Sequence, residues 1–266
     1  MAFTYTTEGV ILRRIAYRES DRKIVLLSPD HGKLDLTARG ASKIVSKLAP
    51  HLEPYTYVRV TVASGNMETI THCQVKKRFS TFTTSLMKKA WVDYTAEVVD
   101  QLLRTRQVDP SVFRLVFDTW NVIDELPSVK KTALVGYVVV AGFVLKLLGC
   151  LGYRPELTLC ARCGKRMDPS GNTFDSVNGA LICRRCKKHF PQSQLVGVSV
   201  STIKLLRFLL QEGYPQILRL KLNARQLAEL HSVVQKYLGQ QLNFPLRSVE
   251  FWRWLNTQPS FQQSIR

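Results

Sequence analysis

Two Cys-x-x-Cys pairs constrain this chain more than any other feature of its 266 residues. Cys160 pairs with Cys163 and Cys183 pairs with Cys186, and nineteen residues separate the two pairs. Each pair can present two thiolates from one tight turn, and four sulfurs suit the tetrahedral coordination that Zn²⁺ accepts. We therefore expect a structural zinc ribbon over residues 158–190. A site closed by four protein ligands leaves no position for a substrate, so the function must lie elsewhere.

Charge gives the next indication of function. The net charge is +18 and the isoelectric point is about 9.9. The excess of Lys and Arg over Asp and Glu is +6 in residues 1–80, +5 in 160–190 and +6 in 191–266, but only +1 in 81–159. Three basic segments around a nearly neutral one predict a surface that binds a polyanion.

The N-terminal residues and one apolar segment predict a cytoplasmic protein without a membrane span. Residues 1–9 lack a charged region followed by an apolar stretch, so we expect no signal peptide. Residues 133–150 are almost continuously apolar, but Lys146 and glycines interrupt them, which favours a buried central helix over a membrane span. We expect Cys73 and Cys150 to be buried thiols.

Alternating hydrophobic residues predict five short strands in the first 80 residues. The predicted strands span residues 8–15, 23–27, 33–38, 55–62 and 67–78. The connection from residue 39 to residue 54 is longer than a hairpin, as a five-stranded oligonucleotide-binding barrel requires. Domain 1–80 is therefore predicted to be such a barrel.

Helical spacing replaces the strand pattern after residue 80. Helices are predicted over residues 86–104, 110–125, 133–151, 199–212, 223–242 and 247–255. The fold class is therefore α+β and multidomain, with an α-helical domain over residues 81–256 that contains the zinc ribbon. Residues 257–266 are predicted to be a flexible tail.

Basic residues in the predicted barrel form the candidate binding surface. Cations that track phosphates, with aromatic rings available for stacking, hold single strands without reading their sequence. The candidate residues are Arg13, Arg14, Arg22, Lys33, Arg39, Lys43, Lys47, Lys76, Lys77 and Arg78, with Lys23, Tyr5, Tyr17, Phe79 and Phe82 interleaved. The turn from Arg39 to Lys43 is the strongest single candidate, because Gly40 permits close backbone approach.

The chain carries no recognisable catalytic motif. It has no phosphate loop with a following Lys-Ser or Lys-Thr, no Gly-x-Ser-x-Gly turn and no His-Glu-x-x-His helix. Glu19 and Asp21 are interleaved with Arg18 and Arg22, which favours a surface loop of ion pairs. Two alternatives remain: a metal-dependent nuclease or RNA-modifying enzyme that uses the basic face, and a scaffold whose basic surface docks an acidic tail.

Several motifs resemble the RecO family of bacterial recombination mediators. In the N-terminal part, Gly9-Val10-Ile11-Leu12-Arg13, Tyr17-Arg18-Glu19-Ser20-Asp21-Arg22, His31-Gly32-Lys33-Leu34 and Ala38-Arg39-Gly40-Ala41 agree in order and spacing. Further on, residues 148–157, Cys160-Ala161-Arg162-Cys163 and Gly179-Ala180-Leu181-Ile182-Cys183 are similar to the family's central helix and to the two sides of its zinc site. The chain departs from the family at Ser28-Pro29 and in the aromatic segment 251–254.

The resemblance implies a non-enzymatic role in DNA repair and recombination. Members of the family bind single- and double-stranded DNA and anneal complementary strands. With RecR, they help RecA to displace single-strand-binding protein. The resemblance thus implies DNA, RecR, single-strand-binding protein and, indirectly, RecA as partners, a structural Zn²⁺ as cofactor, and a location at the nucleoid.

Overall fold

The computed structural model describes residues 3–127, 132–167 and 170–249. The described residues form two compact units. The first contains residues 3–127 and 246–249, and the second contains residues 132–245 apart from 168–169.

Five strands close into a barrel in the first unit. They are β1 (Phe3–Tyr17), β2 (Asp21–Ser28), β3 (Gly32–Ala38), β4 (Thr56–Ser64) and β5 (Thr69–Arg78). The strand order is β1-β2-β3-β5-β4, and β1 is long enough to pair with β2 along its second half and with β4 along its first half. β3 meets β5 in parallel at Thr37 and Thr69, which completes the closure. The predicted oligonucleotide-binding barrel is confirmed.

Aliphatic side chains fill the barrel because alternate residues of each strand point inward. The interior includes Ile11, Leu26, Leu36 and Val60, all fully buried. The predicted turn between β2 and β3 also forms, and the Ser28 hydroxyl accepts hydrogen bonds from two backbone N–H groups at 3.2 Å.

Three helices follow the barrel within the first unit: α1 (Thr81–Thr84), α2 (Leu86–Leu102) and α3 (Pro110–Glu125). The predicted helix over residues 110–125 forms as α3, and Asp109 caps it: its carboxylate accepts a hydrogen bond from the backbone N–H of Ser111 at 2.9 Å. The predicted domain boundary at residue 80 falls between β5 and α1, and it stays a prediction.

Aromatic rings join the barrel to these helices. Phe79 and Phe82 are buried and stack at 5.2 Å between ring centroids, and Trp120 of α3 meets both edge-on. These two phenylalanines belong to the hydrophobic core, so neither is available to stack on a base.

The second unit combines four helices with a small sheet. The helices are α4 (Thr132–Cys150), α5 (Val200–Gln211), α6 (Tyr214–Ile217) and α7 (Ala224–Gln241). The sheet has the order β7-β6-β8, with β6 at Thr173–Asp175, β7 at Ala180–Ile182 and β8 at Leu195–Gly197. The helices predicted from residues 199 and 223 form as α5 and α7, with Ser199 as the N-cap of α5 and Asn223 as the N-cap of α7 in a capping box.

Helix α4 is the predicted apolar central helix. Its residues from Val138 to Leu145 are buried against the other helices, and the Lys146 ammonium donates to the backbone carbonyl of Glu212. None of the described helices has the length and apolar character that a membrane span needs.

One expectation about the cysteines is wrong. Cys73 is buried in the barrel as predicted, but Cys150 is exposed because it is the last residue of α4. The predicted final helix is helical over residues 247–249. The rest of that helix, the aromatic segment 251–254 and the tail 257–266 lie outside the described residues.

Candidate nucleic-acid interface and cysteine cluster

The four paired cysteines converge on one point of the second unit. All four Sγ atoms lie within 4.8 Å of one another, and those of Cys163 and Cys183 are 3.9 Å apart. A tetrahedron with Zn–S bonds of about 2.3 Å has sulfur–sulfur edges of about 3.8 Å. The cluster can therefore hold a metal ion, and its size is compatible with zinc. Within the described residues, it is the only group of three or more His, Cys, Asp or Glu side chains with this property.

Tight turns place the sulfurs. In the first pair, the backbone N–H of Gly164 donates to the carbonyl of Cys160 at 2.9 Å, and Gly164 has a φ of +67° that favours glycine. In the second pair, the N–H of Cys186 donates to the carbonyl of Cys183 at 3.0 Å. The hairpin of β6 and β7 connects the two turns and brings them together.

The thiols of Cys160 and Cys186 differ in pKa. Burial raises the pKa of Cys160, but hydrogen bonds from the backbone N–H groups of Cys183, Cys163 and Arg162 outweigh it and lower that pKa to about 6. Burial and the neighbouring sulfurs raise the pKa of Cys186 to about 12. The backbone thus stabilises the Cys160 thiolate, whereas the Cys186 thiolate would need a cation among the sulfurs.

Tyr237 of α7 attaches the cysteine-bearing ribbon to the helices. Its hydroxyl donates to the backbone carbonyl of Tyr153 at 2.8 Å, and its ring meets Phe174 of β6 edge-on at 5.5 Å. Gly179 lies beneath it, where a Cβ would stand 2.3 Å from the phenol oxygen. The position of the ribbon therefore depends on a glycine and a tyrosine that are far apart in the sequence.

Cations surround the cysteine cluster. Seven lysines and arginines lie close to the four cysteines in the sequence, and each of them is exposed except Lys187, which is half-buried. They are Arg162, Lys165, Arg166, Arg184, Arg185, Lys187 and Lys188. This fringe gives the second unit its own basic surface.

On the barrel, the connection after β3 forms the main candidate surface. We call residues 39–48 the basic loop, because it contains Arg39, Lys43 and Lys47 and no acidic residue. All three cations are exposed, and among the described residues no carboxylate lies within ion-pair distance of them. Their charge is therefore available to an external anion.

Backbone hydrogen bonds fix the basic loop to the turn between β1 and β2. The N–H of Gly40 donates to the Asp21 carboxylate at 2.9 Å, and the N–H of Ser42 donates to the carbonyl of Ser20 at 2.8 Å. Gly40 has a φ of +65°, which a residue with a side chain rarely adopts. The glycine thus serves the conformation of the turn, and the predicted close approach of a ligand to it stays a prediction.

The same end of the barrel carries further cations that the sequence places close together. Lys23 lies over the ring of Tyr17 at 4.8 Å, and the Arg18 guanidinium lies 5.2 Å from the same ring. Arg22 faces Ala38 across β2 and β3, next to Arg39, and its Nε is buried without a hydrogen-bond partner within the described residues. Arg18 is not one of the predicted binding residues, although it lies in the turn between β1 and β2, close to Arg22 and Lys23 in the sequence.

Other candidate cations are held by partners within the first unit. Lys33 is buried, and its ammonium contacts both the backbone carbonyl and the carboxylate of Asp100, so its charge already has a partner within the first unit; its contact with DNA stays a prediction. Arg13 also pairs with Asp100, at 3.3 Å, and Arg14 pairs with Glu53.

Of the three basic residues at the end of β5, two have hydrogen-bond partners within the first unit. Lys76 is exposed, whereas the Lys77 ammonium donates to Asn121 and the Arg78 guanidinium donates to the backbone carbonyl of Pro50 at 2.8 Å. The structure therefore brings Arg22, Arg39, Lys43 and Lys47 to one end of the barrel and gives Arg13, Arg14, Lys33, Lys77 and Arg78 internal partners.

Comparison with known proteins agrees with this architecture. Residues 1–79 match the family model described as Recombination protein O N terminal, and residues 84–250 match the one described as Recombination protein O C terminal. A protein of Dehalococcoides mccartyi (strain BAV1) named DNA repair protein RecO is 31% identical over 233 residues, which cover 87% of this chain and 88% of that protein. A protein of the same name from Roseiflexus sp. (strain RS-1) is 30% identical, over 93% of this chain and 84% of that protein. The barrel, the helical unit with its cysteine cluster and these two matches together show that the chain belongs to the RecO family of DNA repair proteins.

Proposed function

We propose that this chain binds DNA without sequence preference and anneals complementary single strands. The observation that carries the proposal is the set of exposed cations in the basic loop, which no carboxylate among the described residues neutralises. Two strands repel each other through their phosphates. A surface that neutralises phosphates lowers this barrier and leaves the base edges free to pair.

We assign the DNA contacts to domain 1–80. Arg39, Lys43 and Lys47 lead this set with Arg22, and Lys76 is a further exposed cation on β5. The cations around the cysteine cluster supply a second surface of the same sign. A protein with two such surfaces can hold two strands at once, which annealing requires.

We propose that the cysteine cluster holds Zn²⁺ as a structural ion. Cys160, Cys163, Cys183 and Cys186 would all be ligands, and the ion would supply only the positive charge that keeps four thiolates together. The fit rests on the 3.9 Å separation of two Sγ atoms and on the stabilised thiolate of Cys160.

The proposed activity involves no catalytic residue. Asp21, one of the two carboxylates considered for a nuclease, accepts the hydrogen bond of the Gly40 N–H and so serves the loop. The names of the relatives from Dehalococcoides mccartyi and Roseiflexus, DNA repair protein RecO, support a role in DNA repair, and the matched family descriptions, Recombination protein O, support one in recombination. RecR, single-strand-binding protein and RecA are the proposed partners, at the nucleoid of the cytoplasm.

The test is binding and annealing by the full chain. Fluorescence anisotropy with unrelated single strands should show affinity that falls steeply as salt rises, since bound cations release counterions. Complementary strands should anneal faster with the protein than without it. Absence of binding at low salt, or binding independent of salt, would refute the proposal. Progressive cleavage of labelled DNA in Mg²⁺, abolished in Asp21→Asn, would instead establish a nuclease.

A further inference from the structure

The tip of the basic loop is apolar. Ile44 is exposed as fully as in an extended peptide and Val45 is 85% exposed, which makes them the two most exposed large hydrophobic residues in the described part of the chain. We call these two residues the apolar tip. Single exposed aliphatic residues are common on protein surfaces, so exposure alone does not indicate that Ile44 and Val45 bind a ligand.

The local backbone gives no reason for this choice of residues. The N–H of Ser46 donates to the carbonyl of Lys43 at 3.0 Å, which closes a tight turn with Ile44 and Val45 at its two central positions. Such positions favour Gly, Pro, Asn, Asp and Ser, whereas β-branched residues favour strands. The turn therefore presents two residues that its own conformation does not select.

The loop also prevents the apolar tip from reaching the barrel interior. Ala41 is buried in the barrel core before the tip, and Leu48 packs against the same core after it. The hydrogen bonds of Gly40 and Ser42 to the turn between β1 and β2 hold the first of these anchors. Between the anchors, residues 42–47 project outward with the tip at their end.

The surroundings of the apolar tip indicate what it contacts. Arg39, Lys43 and Lys47 flank it, and the loop contains no acidic residue. A ligand must therefore combine anionic groups with apolar faces at short spacing, as unstacked nucleotides do. A lipid surface fits less well, because the two side chains together carry about half the carbons of a myristoyl chain, which alone binds membranes only marginally.

We propose that Ile44 and Val45 insert against the bases of a single strand while the three cations hold the flanking phosphates. This inference rests on the proposed DNA binding and adds how the strand is held. Apolar side chains of other DNA-binding proteins enter between base steps and unstack them. Unstacked bases with free edges are the form in which a strand can pair with its complement.

The experiment uses a single strand with a central 2-aminopurine, whose fluorescence rises when its neighbours unstack. Ile44→Ser/Val45→Ser in the full chain is compared with the wild type and with Val108→Ser. Val108 is an exposed valine of the same unit beside Gly32, at the other end of β2. The wild type and the control should raise the fluorescence on binding, whereas the double variant should not. Its affinity should fall by about fivefold or more, with an unchanged salt slope.

Different results would contradict the base contacts of the apolar tip and the proposed DNA binding. If the double variant binds with wild-type affinity and fluorescence, the apolar tip does not contact bases. Loss of anionic-vesicle binding with DNA binding intact would assign the tip to membranes and would equally overturn the inference. If the wild type itself fails to bind DNA at low salt, the proposed function fails. Ile44→Thr/Val45→Thr keeps the β-branched shape and should reproduce the effect, and a wild-type melting temperature of both double variants would exclude a folding defect.

Discussion

The backbone N–H of Gly40 donates a hydrogen bond of 2.9 Å to the carboxylate of Asp21. This contact joins the turn between β1 and β2 to the basic loop, although nineteen positions separate the two residues. Because the acceptor is charged, the bond is stronger than a bond between neutral groups. Asp21 therefore contributes to the shape of the candidate DNA surface despite its negative charge.

Removing the Asp21 carboxylate should loosen the basic loop. Asp21→Ala should lower the free energy of unfolding by about 1–2 kcal/mol, since the Gly40 N–H loses its acceptor. Asp21→Asn keeps an acceptor oxygen and should be less destabilising. Urea denaturation followed by circular dichroism measures both. Equal stability of the alanine variant and the wild type would show that the contact does not hold the loop.

Two glycines with similar backbone angles should respond differently to alanine. Gly40 has a φ of +65° and open space around a Cβ, so Gly40→Ala should lower the free energy of unfolding by about 1–2 kcal/mol, from backbone strain alone. Gly32 has a φ of +67°, but its Cβ would lie 2.1 Å from the backbone oxygen of Gln107. Gly32→Ala should therefore be clearly more destabilising. Thermal unfolding of the two variants tests this order, and the reverse order would contradict the packing around Gly32.

Metal removal should affect stability before it affects DNA binding by the barrel. A strong chelator, or Cys160→Ser, should lower the melting temperature because the ribbon loses the ion that holds its two turns together. Cys150→Ser is the matched control, since Cys150 is exposed and lies outside the cluster. Metal analysis of the purified protein should give one zinc per chain. A Cys160→Ser protein as stable as the wild type would show that the cluster has no structural role.

Glu229 should make part of the stability depend on pH. Burial raises the pKa of Glu229, but hydrogen bonds from Thr202, Arg225 and Ser199 outweigh it and lower the pKa to about 2. These hydrogen bonds favour the ionised carboxylate in the folded protein. Its contribution to the free energy of unfolding is therefore complete above the unfolded pKa of about 4.3 and is lost as the pH falls toward 2.

Glu229→Gln isolates this effect. The wild type should exceed the variant in free energy of unfolding by an amount that is constant above about pH 5 and shrinks as pH falls toward 3. Urea titrations at several pH values measure the difference. A difference that does not change with pH would mean that the ionised carboxylate adds nothing to the fold.

Local patterns in the sequence predict much of this structure. Alternation predicts the strands, the spacing of the cysteines predicts their cluster, and Asp109, Ser199 and Asn223 cap helices as their residue types suggest. These features depend on neighbours within a few residues, or on a coordination geometry that allows few arrangements.

The tertiary position of a residue is what these local patterns do not show. Lys33 looks like an exposed strand cation, but Asp100, 67 residues away, buries it. Cys150 looks buried in an apolar run but ends its helix. A charge pattern identifies cations, and only the tertiary fold shows which of them already have a partner.

The most direct test of the account is the salt dependence of single-strand binding by Arg39→Gln/Lys43→Gln/Lys47→Gln. The slope of log affinity against log salt should fall in magnitude by about 2, near 0.7 for each phosphate that the variant no longer neutralises. Strand annealing should slow while the melting temperature stays unchanged. Arg104→Gln is the control. Arg104 is an exposed cation next to Thr105, which forms a β-bridge with Lys33, and Lys33 pairs with the end of β2 that lies away from the basic loop. This variant should keep the wild-type slope. A triple variant with the wild-type slope and annealing rate would contradict the assignment of DNA binding to the basic loop.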